Sequence, residues 1–435
     1  MKTRIAVLLI CLAPSAQALS LLDAYQLAQR NDPAWQAASA ARDAGLEHQA
    51  IGRAALLPTL NWSYNTSRNQ SEVSQGAQRQ DRDYRSHAAT LSLQQPLLDF
   101  DALARYRQGN AQAEMARRQW QGEQHALLAK VVRLYSNALL AARRAQLVRE
   151  RKHALGERLA LNQRLLAGGA GTHTDVLETQ ARLNLAVAEE IEALDAQDVA
   201  ARTLQGVIGE RVALSQLQPL ADGFALPSLI PADFDSWQRL ALQRNHQLAA
   251  RQQGLAVAEQ EVQRQRAGHL PKVSLYASSR QSRSESENTY QQAFDTHSIG
   301  VQVSVPLFAG GGVSAATRQA GNRLSQARHE LDGQIVATLD TLRRHYNAAR
   351  SGQARVAAYG MVAASAEAQL QATRKSLLGG ERINLDVLDA EQQLYRARLQ
   401  LREAQHAWLL AWVDLQATAG TFDEDGLRRI ATHFR

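Results

Sequence analysis

Four things are scarce in this chain of 435 residues, and each scarcity narrows what it can be. Aromatic residues make up 5% of it although 45% is hydrophobic. Phe, Tyr and Trp carry much of the buried area of ordinary globular cores, so a compact two- or three-domain enzyme is disfavoured. Past the N-terminus no run reaches the ~18 consecutive apolar residues of a spanning helix, which excludes a helical membrane protein. The mean hydropathy of −0.36 agrees. Cysteine occurs once, at Cys11, and proline nine times.

What is present begins with a leader. Lys2 and Arg4 precede the apolar run Ile5 to Leu12, and Ala16-Gln17-Ala18 supplies small residues at a cleavage site. Together these read as a secretory signal over residues 1–18. The mature chain is expected to begin near Leu19 and to lose Cys11, and with it any disulfide or Cys-based metal site. Ile10, just before Cys11, is too large for a lipidation signal. Removal of Lys2 and Arg4 leaves 47 basic residues against 42 acidic ones. That surplus is modest and spread along the chain, so it makes no nucleic-acid footprint.

Proline position divides the remainder. Residues 97–218 and 307–435 contain none, so each stretch can be continuously helical. Leu127, Val131, Leu134, Ala138, Ala141, Ala145 and Val148 alternate steps of four and three. Val387, Ala390, Leu394, Ala397, Leu401, Ala404, Trp408, Ala411 and Leu415 do the same. These are heptad seams whose alanines let helices approach closely. Each stretch is broken once, by Gly168-Gly169 and Gly379-Gly380, which predicts two antiparallel helical hairpins.

The prolines bracket strands as well. Leu60, Trp62 and Tyr64 alternate with polar residues after Pro58, and Ala89, Leu91 and Leu93 do so before Pro96. Val273 and Leu275, then Ile299, Val301, Val303 and Val305, repeat the pattern around Pro271 and Pro306. Four amphipathic strands are expected, at about 58–66, 88–96, 271–279 and 298–306, joined in pairs by polar loops at 66–87 and 280–297. The chain is an internal duplication: Gly168-Gly169 and Asp175-Val176-Leu177 return as Gly379-Gly380 and Asp386-Val387-Leu388 at an offset of 211. Residues 19–210 and 236–422 are the two repeats, 211–235 a linker and 423–435 a short tail. Four strands cannot close a barrel, which needs about eight, yet unpaired backbone in a bilayer is costly. Closure therefore calls for symmetric copies.

Arg30-Asn31-Asp32-Pro33, Ala267-Gly268-His269-Leu270-Pro271, Pro306-Leu307-Phe308-Ala309-Gly310-Gly311 and Asp386-Val387-Leu388-Asp389-Ala390 resemble the TolC family of outer-membrane exit ducts over residues 20–422. The resemblance implies a mainly α protein with a transmembrane β-barrel: a homotrimer whose protomers each give four strands to a 12-stranded barrel in outer-membrane lipid. Long helices would form a periplasmic α-barrel. It also implies a periplasmic adaptor and an inner-membrane ABC transporter as partners, with no cofactor and no nucleic acid. The Asn31-Asp32-Pro33 start, the absent lipidation Cys and the Asp-Val-Leu-Asp-Ala string look most like the branch serving type I protein secretion. Multidrug or metal efflux is the alternative.

Candidate functional residues lie at the hairpin tips. Asp386 and Asp389, at i and i+3, share one helix face. They either complement the helix dipole or, as the resemblance implies, line a periplasmic entrance where three copies make a cation-attracting ring. The resemblance also implies a lock of Arg382 with Thr174 and Asp175, with Leu377 where an aromatic often joins. Gly168, Gly169, Gly379 and Gly380 would sit where an adaptor docks. The glycine clusters lack the Gly-Lys-Ser/Thr ending of a phosphate loop. The twelve His residues show no metal spacing, and no nucleophile and base arrangement is visible, so no enzyme is expected. A periplasmic coiled-coil adaptor would lack the four duplicated strands.

Overall fold

The computed structural model describes residues 18–221 and 223–434, the side chains of Gln75 and Glu287 excepted. Most of the leader, Cys11 included, lies outside the described residues. In chain order come α1 (Leu21–Asn31), α2 (Pro33–Ala54), β1 (Thr59–Gln75), β2 (Gln78–Leu98), α3 (Phe100–Ala167) and α4 (His173–Ile208). The second repeat follows with α5 (Phe234–Arg244), α6 (His246–Arg266), β3 (Lys272–Arg283), β4 (Ala293–Ser304), α7 (Gly312–Leu378) and α8 (Asn384–Ala419). A last helix, α9 (Glu424–Ala431), ends the chain. No described helix is long and apolar enough to cross a membrane.

The chain divides into two compact units. One comprises Ser39–Gln121 and His246–Val336 and contains the sheet, antiparallel throughout in the order β1-β2-β3-β4. Directly paired residues share a face, and the register puts Leu60 beside Leu93, Leu93 beside Ala277 and Ala277 beside Ile299. The expected apolar alternations thus land on one face, except Val305, which lies beyond the end of β4 at Ser304, and Asn61, Ser92, Ser278 and Ser298 lie together on the other. Trp62, Ile299, Val301 and Val303 are exposed, as residues facing lipid in a barrel would be. In the same unit α2 crosses α3 closely. A Cβ on Gly52 would lie 2.8 Å from the Arg105 carbonyl, so only glycine permits that approach.

The strands run further than expected, which corrects the two polar loops. Residues 66–75 and 78–87 pair as strand up to a tight turn at Gly76, whose φ is +64°, and β3 and β4 continue to Arg283 and back from Ala293. A ladder is held by backbone hydrogen bonds and does not require an apolar face. Here cross-strand polar pairs support it, Arg68 with Asp83 at 2.5 Å and Ser67 with Ser86 at 2.7 Å.

The other unit comprises residues 18–38, 122–245 and 337–434. Its core joins Leu21 and Tyr25 of α1, Leu128, Val131 and Tyr135 of α3, Leu204 and Ile208 of α4, and Leu409 and Trp412 of α8. The seams are buried as the heptads require: Val131, Ala138, Ala145 and Val148 on α3, and Val387, Ala390, Leu394 and Leu415 on α8. Residues 423–434 are not a loose tail. Leu427, Ile430 and Phe434 enter the core, and Phe434 meets the Tyr135 ring edge-on at 5.4 Å. The first half of the linker is tied down by two isolated bridges, Leu19 with Leu217 and Leu220 with Phe434. Tyr135 Oη donates to the Leu19 carbonyl at 2.8 Å and accepts from the Gln218 N–H at 2.8 Å.

The duplication is visible in how the repeats close. Gly209 and Gly420, 211 apart, end α4 and α8 in the left-handed region at φ +76° and +71°. Against them Asn31 Nδ2 donates to the Ile208 carbonyl at 2.6 Å and Asn245 Nδ2 to the Thr418 carbonyl at 2.8 Å. The two Arg-Asn pairs, Arg30-Asn31 and Arg244-Asn245, are the sequence trace of this shared joint.

Candidate functional site

The hairpin tips lie within one unit. Each first helix ends the same way. Gly169 and Gly380 have φ of +73° and +78°, and the following N–H groups of Ala170 and Glu381 reach back to the carbonyls of Leu165 and Ser376 at 2.9 and 3.0 Å. These are Schellman caps, which need a residue that tolerates a positive φ. Gly168 and Gly379 precede them, donating to Arg164 and Lys375 at 3.0 and 3.1 Å.

The second helices start differently. At α4, Asp175 N–H donates to Thr172 Oγ1 at 3.1 Å, while Thr172 N–H donates to Asp175 Oδ2 at 3.3 Å, a full capping box. At α8, Ile383 N–H donates to Asp386 Oδ2 at 3.2 Å, but the Ile383 side chain has no acceptor to return. Asp175 and Asp386 therefore both serve their own helix ends.

Charge at the tip is more evenly matched than the sequence suggested. Asp389 is ion-paired with Arg182 of α4. The Arg382 Nη1 stands 3.8 Å from Asp386 Oδ2. Within one copy the described residues hold no ion pair between Arg382 and Asp175, and Thr174 is exposed. Leu377 is half-buried against the Ala366, Leu370 and Val387 cluster, an apolar contact that offers no polar tie. Deeper in, Glu391 is shared by Arg158 at 3.3 Å and Arg374 at 2.8 Å.

Three buried polar residues that the sequence reading passed over tie the hairpins together. Asn162 Nδ2 of α3 donates to Thr179 Oγ1 of α4 at 2.9 Å, and Asn384 Nδ2 of α8 donates to the same oxygen at 3.3 Å. Thr179 Oγ1 in turn donates to the Asp175 carbonyl at 2.7 Å. A signal existed: Asn162 continues the α3 seam one heptad beyond Leu155, and Thr179 precedes Ala186 and Ala193 by steps of seven. A polar residue at such a position sets register at some cost in stability. Beside this bridge lies an open groove of about 750 Å³, lined by Arg158, Leu161, Leu165, Leu378, Ile383 and Glu391 among others.

The family model described as outer membrane efflux protein matches the chain twice, over residues 24–210 and 237–421. The chain belongs to the outer membrane efflux protein family. The two matches coincide with the internal duplication and place this efflux-family member in the outer membrane. It is 46% identical to the alkaline protease secretion protein AprF of Pseudomonas aeruginosa, over 98% of this chain and 89% of that one. With the proteases secretion protein PrtF of Dickeya chrysanthemi it shares 43% identity over 97% of this chain and 92% of that one. The crystal structure of the Campylobacter jejuni CmeC outer membrane channel superposes with a TM-score of 0.81 at 15% identity, covering 95% and 90% of the two chains. That last likeness concerns the fold.

Proposed function

We propose that this chain is the outer-membrane exit duct of a type I system, through which a protein leaves the cell. Identity above 40% to two protease secretion proteins across nearly the whole chain carries the reading. Three copies would pair the free edges of β1 and β4 into a 12-stranded barrel. The exposed apolar stripe of α4, Leu177, Leu185, Ile191 and Val199, is the surface assigned to the neighbouring copy. A periplasmic adaptor would engage the glycine-capped tips, and an inner-membrane ABC transporter would supply the cargo.

At the entrance, Asp386 and Asp389 would form the cation-attracting ring, with Arg182 countering Asp389 inside each copy. Arg382, Thr174 and Asp175 would lock neighbouring copies, since among the described residues of one copy Arg382 pairs with Asp386 instead. Deleting the gene tests the main reading. Loss of a secreted protein with unchanged drug and metal tolerance is expected, and intact secretion with raised drug sensitivity would overturn it. That second outcome is the efflux reading, favoured by the family description itself.

A further inference from the structure

The apolar face of the sheet does not simply fade into water at the end away from the helices. Above Tyr64 and Ala89 the same face continues as two rows of basic, directly opposed residues: His87 opposite Arg283, then Arg68 opposite Arg85. All four are exposed. Like charges placed directly across a sheet destabilise it, and Arg68 opposite Arg85, with Arg283 diagonal to Arg85, gathers three guanidinium groups that call for an anion. Arg68 is relieved by Asp83 at 2.5 Å, whereas Arg85 and Arg283 hold no ion pair among the described residues. Two acids of this face flank the three arginines without matching them: Asp83, one row out, feels the charge of Arg85 as well as Arg68, and Asp295 stands diagonal to Arg283. Asp81 and Glu72 lie further out, with Arg79 at 3.4 Å from Glu72, and on β4 Asp295 has His297 at 3.5 Å.

Basic residues on the opposite face are already engaged. Arg82 lies over the Tyr290 ring at 5.5 Å and Arg280 pairs with Glu285. The segregation is therefore specific to the face that carries Leu60, Trp62 and Tyr64.

We infer that Arg85, Arg283, His87 and Arg68 form a binding surface for a phosphorylated lipid of the outer leaflet, whose acyl chains lie against the apolar rows below. Height supports the assignment. Two residues rise ~6.6 Å along a strand, so the rows begin one step and end two steps above Tyr64 and Ala89. Strands in such barrels tilt by roughly 40°, which puts the two rows roughly 5 and 10 Å above Tyr64 and Ala89, the first within the ~5–7 Å headgroup layer and the second just beyond it. A soluble anion would satisfy the arginines but would not explain why they crown the apolar face alone.

This inference rests on the reading of the sheet as part of an outer-membrane barrel, and the test separates the two. Full-length protein in neutral detergent is titrated with bis-phosphorylated lipid A and with the same lipid stripped of phosphate, binding being read by native mass spectrometry. The phosphorylated lipid should bind more tightly. Arg85→Gln with Arg283→Gln should weaken it roughly 30-fold, taking each basic residue near an anionic surface at its usual value, while Arg79→Gln leaves it unchanged. Equal binding of both lipids, an unaffected double variant, or inorganic phosphate competing as strongly as the lipid would overturn the inference. Conductance in a neutral phosphatidylcholine bilayer is the companion measurement. A pore without phosphate preference removes this inference alone, and the absence of any pore removes the barrel reading with it.

Discussion

α4 and α8 occupy the same place in the two repeats and have the same length of 36 residues, yet sixteen residues of α8 are buried against six of α4. The apolar content does not explain this, because Leu177, Leu185, Ile191 and Val199 of α4 lie bare. α8 finds its partners inside its own chain, burying Leu409, Val413 and Leu415 completely. In the proposed assembly the stripe on α4 is completed by another copy. Duplication has thus produced one helix for the core of the chain and one that leaves an apolar stripe exposed, the boundary of the proposed trimer.

The strongest way to break this comparison is to charge the boundary helix. Ile191→Asp with Val199→Asp should leave the isolated chain folded but abolish the trimer, since burying unpaired carboxylates costs several kcal/mol. Light scattering in detergent checks it, and an intact trimer would mean that α4 faces solvent.

A second difference is chemical. His406 of α8 is buried against Ser136, its Nδ1 2.6 Å from the hydroxyl, whereas the corresponding Asp195 of α4 is exposed. Burial first, and then the charge of Arg402, push the His406 pKa down to about 4. The folded value lies below the unfolded one near 6.5, so the unfolded chain takes up the proton first as pH falls. Stability is whole above pH ~6.5 and declines until about pH 4, by about 3 kcal/mol. Denaturant midpoints at pH 7.5 and 4.5 should show this loss, and replacing the pair with Ser136→Ala and His406→Leu should remove it.

The smallest effects concern the helix starts. Thr172→Ala should cost about 1 kcal/mol at the first turn of α4. Ile383→Thr should give α8 the hydroxyl it lacks and stabilise that turn by a similar ~1 kcal/mol. Hydrogen exchange of the two first turns reads both. Equal exchange in the wild type would contradict the contrast between the caps.

The comparison also shows what a sequence can carry. Heptads, double glycines and strand alternation are local patterns, and they led to the hairpins, the sheet face and the duplication. The outer halves of the strands escaped because Ser, Gln and Arg give no alternation when both faces are polar. α9 escaped because it has only eight residues, and its Leu427 and Ile430 span too few turns to declare a period. Arg182 and Asp389 are more than 200 residues apart in sequence and meet only through packing. The aspartate pair was legible, but its partner was not.

That partner provides the sharpest test of the entrance and of the channel itself. Single-channel recording in a planar bilayer under a salt gradient gives a reversal potential. The wild type should prefer cations, Arg182→Gln should raise that preference by freeing Asp389, and Asp386→Ala with Asp389→Ala should abolish it. A chain that forms no channel, or a reversal potential unmoved by all three substitutions, would contradict the account.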